Sequence, residues 1–218
     1  MTRHASKLFL LAVLLAPLTA SCAANGYRKA ESAAAQMHSL RTNLERMGED
    51  LAAVQTSLQS VLAPTGDGTV IAFQAFERQL ADVKQRISSA DGDLAGIKRR
   101  GESYFESWQK QIARIQDGEI RDEAIRRREA LLRSQSELVE AVEAVRPHRT
   151  ALLTSLEDLR IYFSNDLSAA GVDSVRGSVS RIDQDIVALR SRLSNLAYLI
   201  DRTAPGFSPA VLATPPNS

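Results

Sequence analysis

The chain is poor in the residues that build most catalytic and disulfide-stapled folds. Among 218 residues there is one cysteine, Cys22, so no internal disulfide can form. There are three histidines, His4, His38 and His148, and neither His38 nor His148 sits in a Glu-x-x-His arrangement. That argues against ferritin-like di-iron chemistry. HExxH, a phosphate-binding glycine loop ahead of Lys-Ser/Thr, and a nucleophile elbow are all missing. Aromatics make up only 5%. Apart from Leu8 to Ala16 there is no long hydrophobic run, and that one is too short to span a bilayer stably. Charge of one sign is also absent. Removing residues 1–21, which carry Arg3 and Lys7 and no acid, leaves 25 basic against 26 acidic side chains. A nucleic-acid binder is therefore not expected, nor is an enzyme, a metal site or a cofactor.

What is present is helical periodicity. Charged residues reach 24%, and Leu, Ala, Arg, Ser and Glu dominate, a mixture that suits long, solvent-washed helices. Phe73, Phe76, Leu80, Val83, Ile87, Ala90, Leu94 and Ile97, then Tyr104, Trp108 and Ile115, recur in steps of three and four. Only a long α-helix gathers such a heptad seam into one stripe, and the stripe needs partners. Three further seams supply them. Ala30, Ala33, Met37, Leu40, Leu44, Met47, Leu51, Val54, Leu58 and Val61 define a helix starting after Asn25, a good N-cap, and ended by Pro64-Thr65-Gly66-Asp67-Gly68. The second helix is expected over about 69–116, with Thr69 as cap and Gly118 just past its end. Gly92 and Gly96, four apart, suggest a close helix approach, but Asp91, Asp93 and Lys98 exclude a membrane GxxxG reading.

The third seam runs Ala124, Leu131, Leu138, Val142, Val145, Leu152, Leu156, Leu159 and Phe163, with Arg128, Gln135 and Arg149 as leaks. Pro147 inside it predicts a kink, or alternatively a break. Asn165-Asp166 and Gly171 read as the next connection. The fourth seam is Val172, Val175, Val179, Ile182, Ile186, Leu189, Leu193, Leu196 and Ile200, stopped by Ala204-Pro205-Gly206. The expected fold is all-α, an elongated antiparallel four-helix bundle or coiled coil with heptad seams. Its middle helices would be roughly 70 Å long at about 1.5 Å per residue. The Gly118 hairpin would overhang helices one and four, at the end where helix one starts. The seams can close within one chain or between chains, so oligomerisation stays open.

The N-terminus has its own pattern. Arg3, His4 and Lys7 precede the apolar run, Pro17 breaks it, and Thr19-Ala20-Ser21 lead into Cys22. This resembles a bacterial lipoprotein signal peptide with its lipobox, with Thr19 where Leu is commoner. An ordinary secretory signal with a chance cysteine is the alternative. The resemblance implies cleavage after residue 21, acylation of Cys22 (diacylglycerol on its thiol, palmitate among the chains), and lipid anchoring. Ala23 rather than Asp after the cysteine implies outer-membrane sorting on the periplasmic face. The domain organisation is then residues 1–21 as signal peptide, 22–25 as acylated linker, 26–203 as helical bundle, and 204–218 as a disordered Pro-rich tail.

Residues 98–133 hold ten basic and seven acidic side chains, Arg126, Arg127 and Arg128 among them. Tyr104, Phe105 and Trp108 form the densest aromatic group. Arg126, Arg127, Arg128 and Trp108 are therefore the candidate membrane or partner surface at the hairpin end, against the plainer readings of a solvated charged face and a wide core layer. The stretches Tyr27-Arg28-Lys29-Ala30-Glu31, Phe105-Glu106-Ser107-Trp108, Val145-Arg146-Pro147 and Leu159 to Leu167 resemble a bacterial family of helical lipoproteins built on a domain of unknown function. The resemblance covers nearly all of the mature chain and implies no activity. Two functions are expected: a non-catalytic envelope scaffold that engages a protein partner, or a bundle that binds the membrane surface through its basic hairpin around Gly118.

Overall fold

The computed structural model describes residues 20–63 and 66–208, with side chains from Gly26 onward. Most of the expected signal peptide and the tail beyond Ser208 lie outside the described residues. The described chain is all-helical. Its elements are α1 (Ala20–Val61), α2 (Asp67–Ile112), α3 (Gly118–Asn165), α4 (Ala169–Ser174) and α5 (Arg176–Thr203), followed by a 3-10 turn at Ala204–Phe207. α1 packs most extensively on α2 and also touches α5, while α3 touches both α2 and α5.

The apolar seams are buried as the periodicity requires. Every seam residue of the first helix is buried, from Ala30 at 8% exposure to Val61 at 0%. The same holds on α5 for Val179, Ile182, Ile186, Leu189, Leu193, Leu196 and Ile200. Neighbouring helices run in opposite directions wherever cross-contacts fix the sense. Lys29 reaches the Ser103 carbonyl, Gln36 reaches Asp93, and Asp50 pairs with Arg86, so numbers rise on α1 as they fall on α2. Phe105 with Arg128 and Asp91 with Arg149 give the same sense for α2 and α3. Arg41 with Asp201, and the Leu62 carbonyl with Arg176, give it for α1 and α5.

Several boundaries differ from the sequence reading. α1 begins at Ala20, so Cys22 lies within its first turns by backbone, and Asn25 lies inside the helix instead of at its N-cap position. Gly66, at φ 63°, makes the turn into α2, which starts at Asp67 ahead of Thr69. α2 ends at Ile112, and Gly118 opens α3 instead of closing α2. Asp117 is the N-cap there, its Oδ1 accepting from the Ile120 N–H at 3.0 Å. α3 is unbroken across Pro147, which excludes the break. Gly171 lies within α4, behind the Ser168 cap. The fourth seam is split at Val175 because the Gly171 carbonyl is taken by side chains. Ser174 Oγ donates to it at 2.7 Å and Tyr162 Oη at 3.1 Å, and the Val175 N–H turns to Val172 instead.

The second seam changes phase near its end. Buried residues run Ile97, Gly101, Phe105 and Ile112, while Tyr104 and Trp108 are half-buried. Two successive steps of four form a stutter, which rotates the buried stripe away from the one drawn through Tyr104 and Ile115. The cause is Gln135, whose side chain fills the space over Gly101 and donates from Nε2 to the Ile97 carbonyl at 2.9 Å. A Cβ at Gly101 would lie 1.9 Å from that nitrogen. Gly96 plays the same part toward α1, since a Cβ there would lie 2.8 Å from the Gln36 amide carbon. A Cβ at Gly92 meets nothing within 4 Å. Of the expected pair only Gly96 meets a neighbour, and what Gly96 and Gly101 admit is a side chain and not the backbone of another helix.

The 3-10 turn shortens the expected tail. Ala204 is fully buried and Phe207 is 2% exposed. α5 ends near Arg41, whereas α1, α2 and α3 continue past it. Gly26 on α1 lies alongside Gln111 on α2, so the hairpin overhangs α5 and not α1. Phe207 enters the space left by α5 and stacks near Tyr104 and Phe105, with ring centroids 5.8 and 5.9 Å away.

A pair of glycine substitutions separates backbone propensity from the packing role. Gly92→Ala is expected to stabilise the fold by about 0.5–1 kcal/mol, the helix-interior cost of glycine. Gly101→Ala must displace Gln135 and is expected to destabilise by about 1–3 kcal/mol through the lost buried hydrogen bond. Urea unfolding of both variants checks this, and opposite signs are the diagnostic outcome.

Candidate interaction site at the hairpin end

The side chains singled out from the sequence meet different fates here. Arg128 is half-buried. Its Nε donates to the Phe105 carbonyl at 3.1 Å, and its guanidinium lies 5.8 Å from the Phe105 ring centroid. Arg127 donates to the Gly206 carbonyl at 3.3 Å and so ties α3 to the 3-10 turn. Arg126 is exposed and paired with Glu123 at 2.7 Å. Two of these three consecutive arginines therefore brace neighbouring elements. Trp108 is half-buried, 5.5 Å from Tyr104 between ring centroids, and continues the aromatic group at the outer edge of the core. Burial pushes the Tyr104 hydroxyl upward, opposed by the nearby charge of Arg127. The side chain of Cys22 lies outside the described residues.

Other basic groups in 98–133 are also engaged. Lys110 pairs with Glu106 at 2.8 Å and Lys98 with Glu143 at 2.7 Å. The turn itself, residues 114–123, carries two arginines against Asp117, Glu119, Asp122 and Glu123. The excess positive charge of the window thus sits down the sides of the helices and not at the tip.

Between α2 and α3 runs an open groove of about 650 Å³. Phe105, Leu132, Gln135 and Val139 line it together with Lys98, Glu102, Glu106, Lys110, Arg128 and Glu140. Along this interface the three leaks of the third seam become its fastenings. Arg128, Gln135 and Arg149 each donate to α2, respectively to the Phe105 carbonyl, the Ile97 carbonyl and both oxygens of Asp91, the last at 3.0 Å. Arg146 joins Asp91 at 3.7 Å and Glu143 at 2.7 Å. Hydrogen bonds from Lys98 and then Arg146 hold the Glu143 carboxyl down at about 2, against an ordinary 4.5.

On the other face of α2, Asp93 is buried at 9% exposure. It accepts from Gln36 Nε2 and Asn43 Nδ2, both at 2.6 Å, and from Ser39 Oγ at 3.1 Å. The group is not among the residues expected from the heptad seams, although its signal is present. Asp93 sits three residues after Ala90 and four before Ile97, on the seam itself. Gln36, Ser39 and Asn43 keep the three-four spacing, each one position before a seam residue, Met37, Leu40 and Leu44. Among the described residues no group of three or more His, Cys, Asp and Glu side chains converges as a metal would require. Among them, too, no helix is long and apolar enough to cross a membrane.

Two measurements follow from this geometry. Phe207→Ala should cost about 3–5 kcal/mol and Trp108→Ala distinctly less, because only the first ring is fully enclosed; equilibrium unfolding of each variant checks the order. Glu143 is bound to its cations more tightly when folded, so its contribution is present above its ordinary value and is lost as pH falls from about 4.5 towards about 2. Glu143→Gln should therefore lower the urea midpoint at pH 7, and the gap to the parent should close across that interval. Salt should narrow the gap at pH 7, since the pair is partly exposed.

Searches of the curated proteins and of the solved structures return no match. A family model described as "Protein of unknown function (DUF2959)" matches residues 20–197, which is most of the chain and nearly all of its helices. The chain belongs to this family of proteins of unknown function, DUF2959.

Proposed function

We propose that the protein is an outer-membrane lipoprotein, anchored through acylated Cys22 on the periplasmic face, and that its helices form an antiparallel four-helix bundle serving as a non-catalytic scaffold for a protein partner in the envelope. The observation that carries this reading is the arrangement of the N-terminal end. α1 runs as one helix from Cys22 into the core. Gly26 lies beside Gln111, so the anchor point and the α2–α3 hairpin share one end. A rod held in this way presents its sides, including the groove between α2 and α3, to neighbours.

The scaffold role is further supported by how the buried polar side chains are used. Asp93 and Gln135 hold one helix to the next. The membrane-surface reading of the basic hairpin is weaker, because Lys98, Lys110, Arg126, Arg127 and Arg128 all have partners within the chain.

Metabolic labelling with a palmitate analogue tests the anchor. The parent chain should incorporate label and fractionate with the outer membrane, and Cys22→Ala should lose both. Unlabelled parent chain would sink the reading. Crosslinking in intact cells then identifies what the bundle touches.

A further inference from the structure

A second cleft opens between α1 and α2, about 330 Å³ in volume and lined by Lys29, Ser32, Arg99, Arg100 and Ser103. Its lining holds three cations, two hydroxyl side chains and no carboxylate. Among the described residues, none of the three cations has an acidic partner within ion-pair distance. Their bonds go to neutral oxygens. Lys29 Nζ donates to the Ser103 carbonyl at 3.4 Å, Arg100 Nε to Gln36 Oε1 at 3.2 Å, and Arg100 Nη1 to Ser32 Oγ. This contrasts with Lys98, Lys110, Arg126, Arg146 and Arg149, which all meet carboxylates. Glu106, the acid close enough to feel Lys29, is itself bonded to Lys110.

Each helix brings a cation and, one turn on, a serine: Lys29 with Ser32 on α1, and Arg99 and Arg100 with Ser103 on α2. Because the helices run in opposite directions, the two pairs face one another across the cleft. Arg100 is held by Gln36, which is itself fastened to the buried Asp93. One guanidinium of the cleft is thereby positioned before any ligand arrives. Converging cations with hydroxyl donors and no competing carboxylate suit a tetrahedral oxyanion, which accepts charge-assisted hydrogen bonds from several directions at once. We propose that this cleft binds a phosphate group, either on a soluble anion or on a lipid headgroup. The inference does not depend on acylation of Cys22.

Calorimetric titration of the full-length chain, in phosphate-free non-ionic detergent, tests it with two probes. One is pyrophosphate. The other is glycerophosphoglycerol, the deacylated diester headgroup of phosphatidylglycerol. One-site saturable binding is expected, weakening at high salt. Lys29→Gln and Arg99→Gln should each weaken it about tenfold, the loss of one charge-assisted contact, with the unfolding midpoint unchanged. Both side chains lie outside the buried core, and Arg100 is left intact because it braces Gln36. Binding of the diester alone assigns the site to lipid, and binding of pyrophosphate alone assigns it to a soluble phosphate. No saturable binding of either probe, or binding that both variants retain in full, overturns the proposal.

Discussion

Four apolar stripes of nearly equal spacing can slide past one another by a heptad and still bury the same kinds of side chain. What denies them that freedom is a small set of buried and half-buried polar contacts, and the rest of the structure depends on these. Asp93 takes three side chains of α1 at once, and Arg128, Gln135 and Arg149 take three separate acceptors on α2. A slip of either interface would strand a buried carboxylate or amide, which costs more than the apolar packing loses. α2 is the shared reference. One of its faces sets the register of α1, and another sets that of α3.

This division explains how much of the fold was legible in the sequence. Burial follows from spacing, so the core of α1 and α5 is readable residue by residue from the three-four steps. Register and local phase follow from pairs of residues distant in sequence. Gln135 looks like a defect in the third seam until it is set against Gly101, thirty-four positions earlier. The stutter that displaces Tyr104 in favour of Phe105 comes from the same pair. Phe207 follows Pro and Gly in a stretch with no periodicity, and its burial depends on α5 being shorter than its neighbours.

The candidate site was legible in composition and not in use. The basic excess of residues 98–133 is real, yet a count of charges does not distinguish an arginine reaching solvent from one bonded to a backbone carbonyl. Arg126, Arg127 and Arg128 are adjacent in sequence but project about 100° apart around a helix, so each meets a different neighbour. Lys29, Arg99 and Arg100 show the reverse. Seventy residues apart in the chain, they come together because two oppositely directed helices place them at one level.

The unequal connections also set the order in which the molecule can assemble. α1 and α2 share the most extensive interface and are joined by a short turn at Gly66, so closing that hairpin orders little chain. Joining α5 to α1 brings together residues such as Arg41 and Asp201, which belong to the first and the last of the α-helices. The entropy of that closure is met only once the intervening helices are in place. The α1–α2 hairpin is thus suited to act as nucleus, and the α5 interface, with its Phe207 plug, to be the last part to form and the first to open.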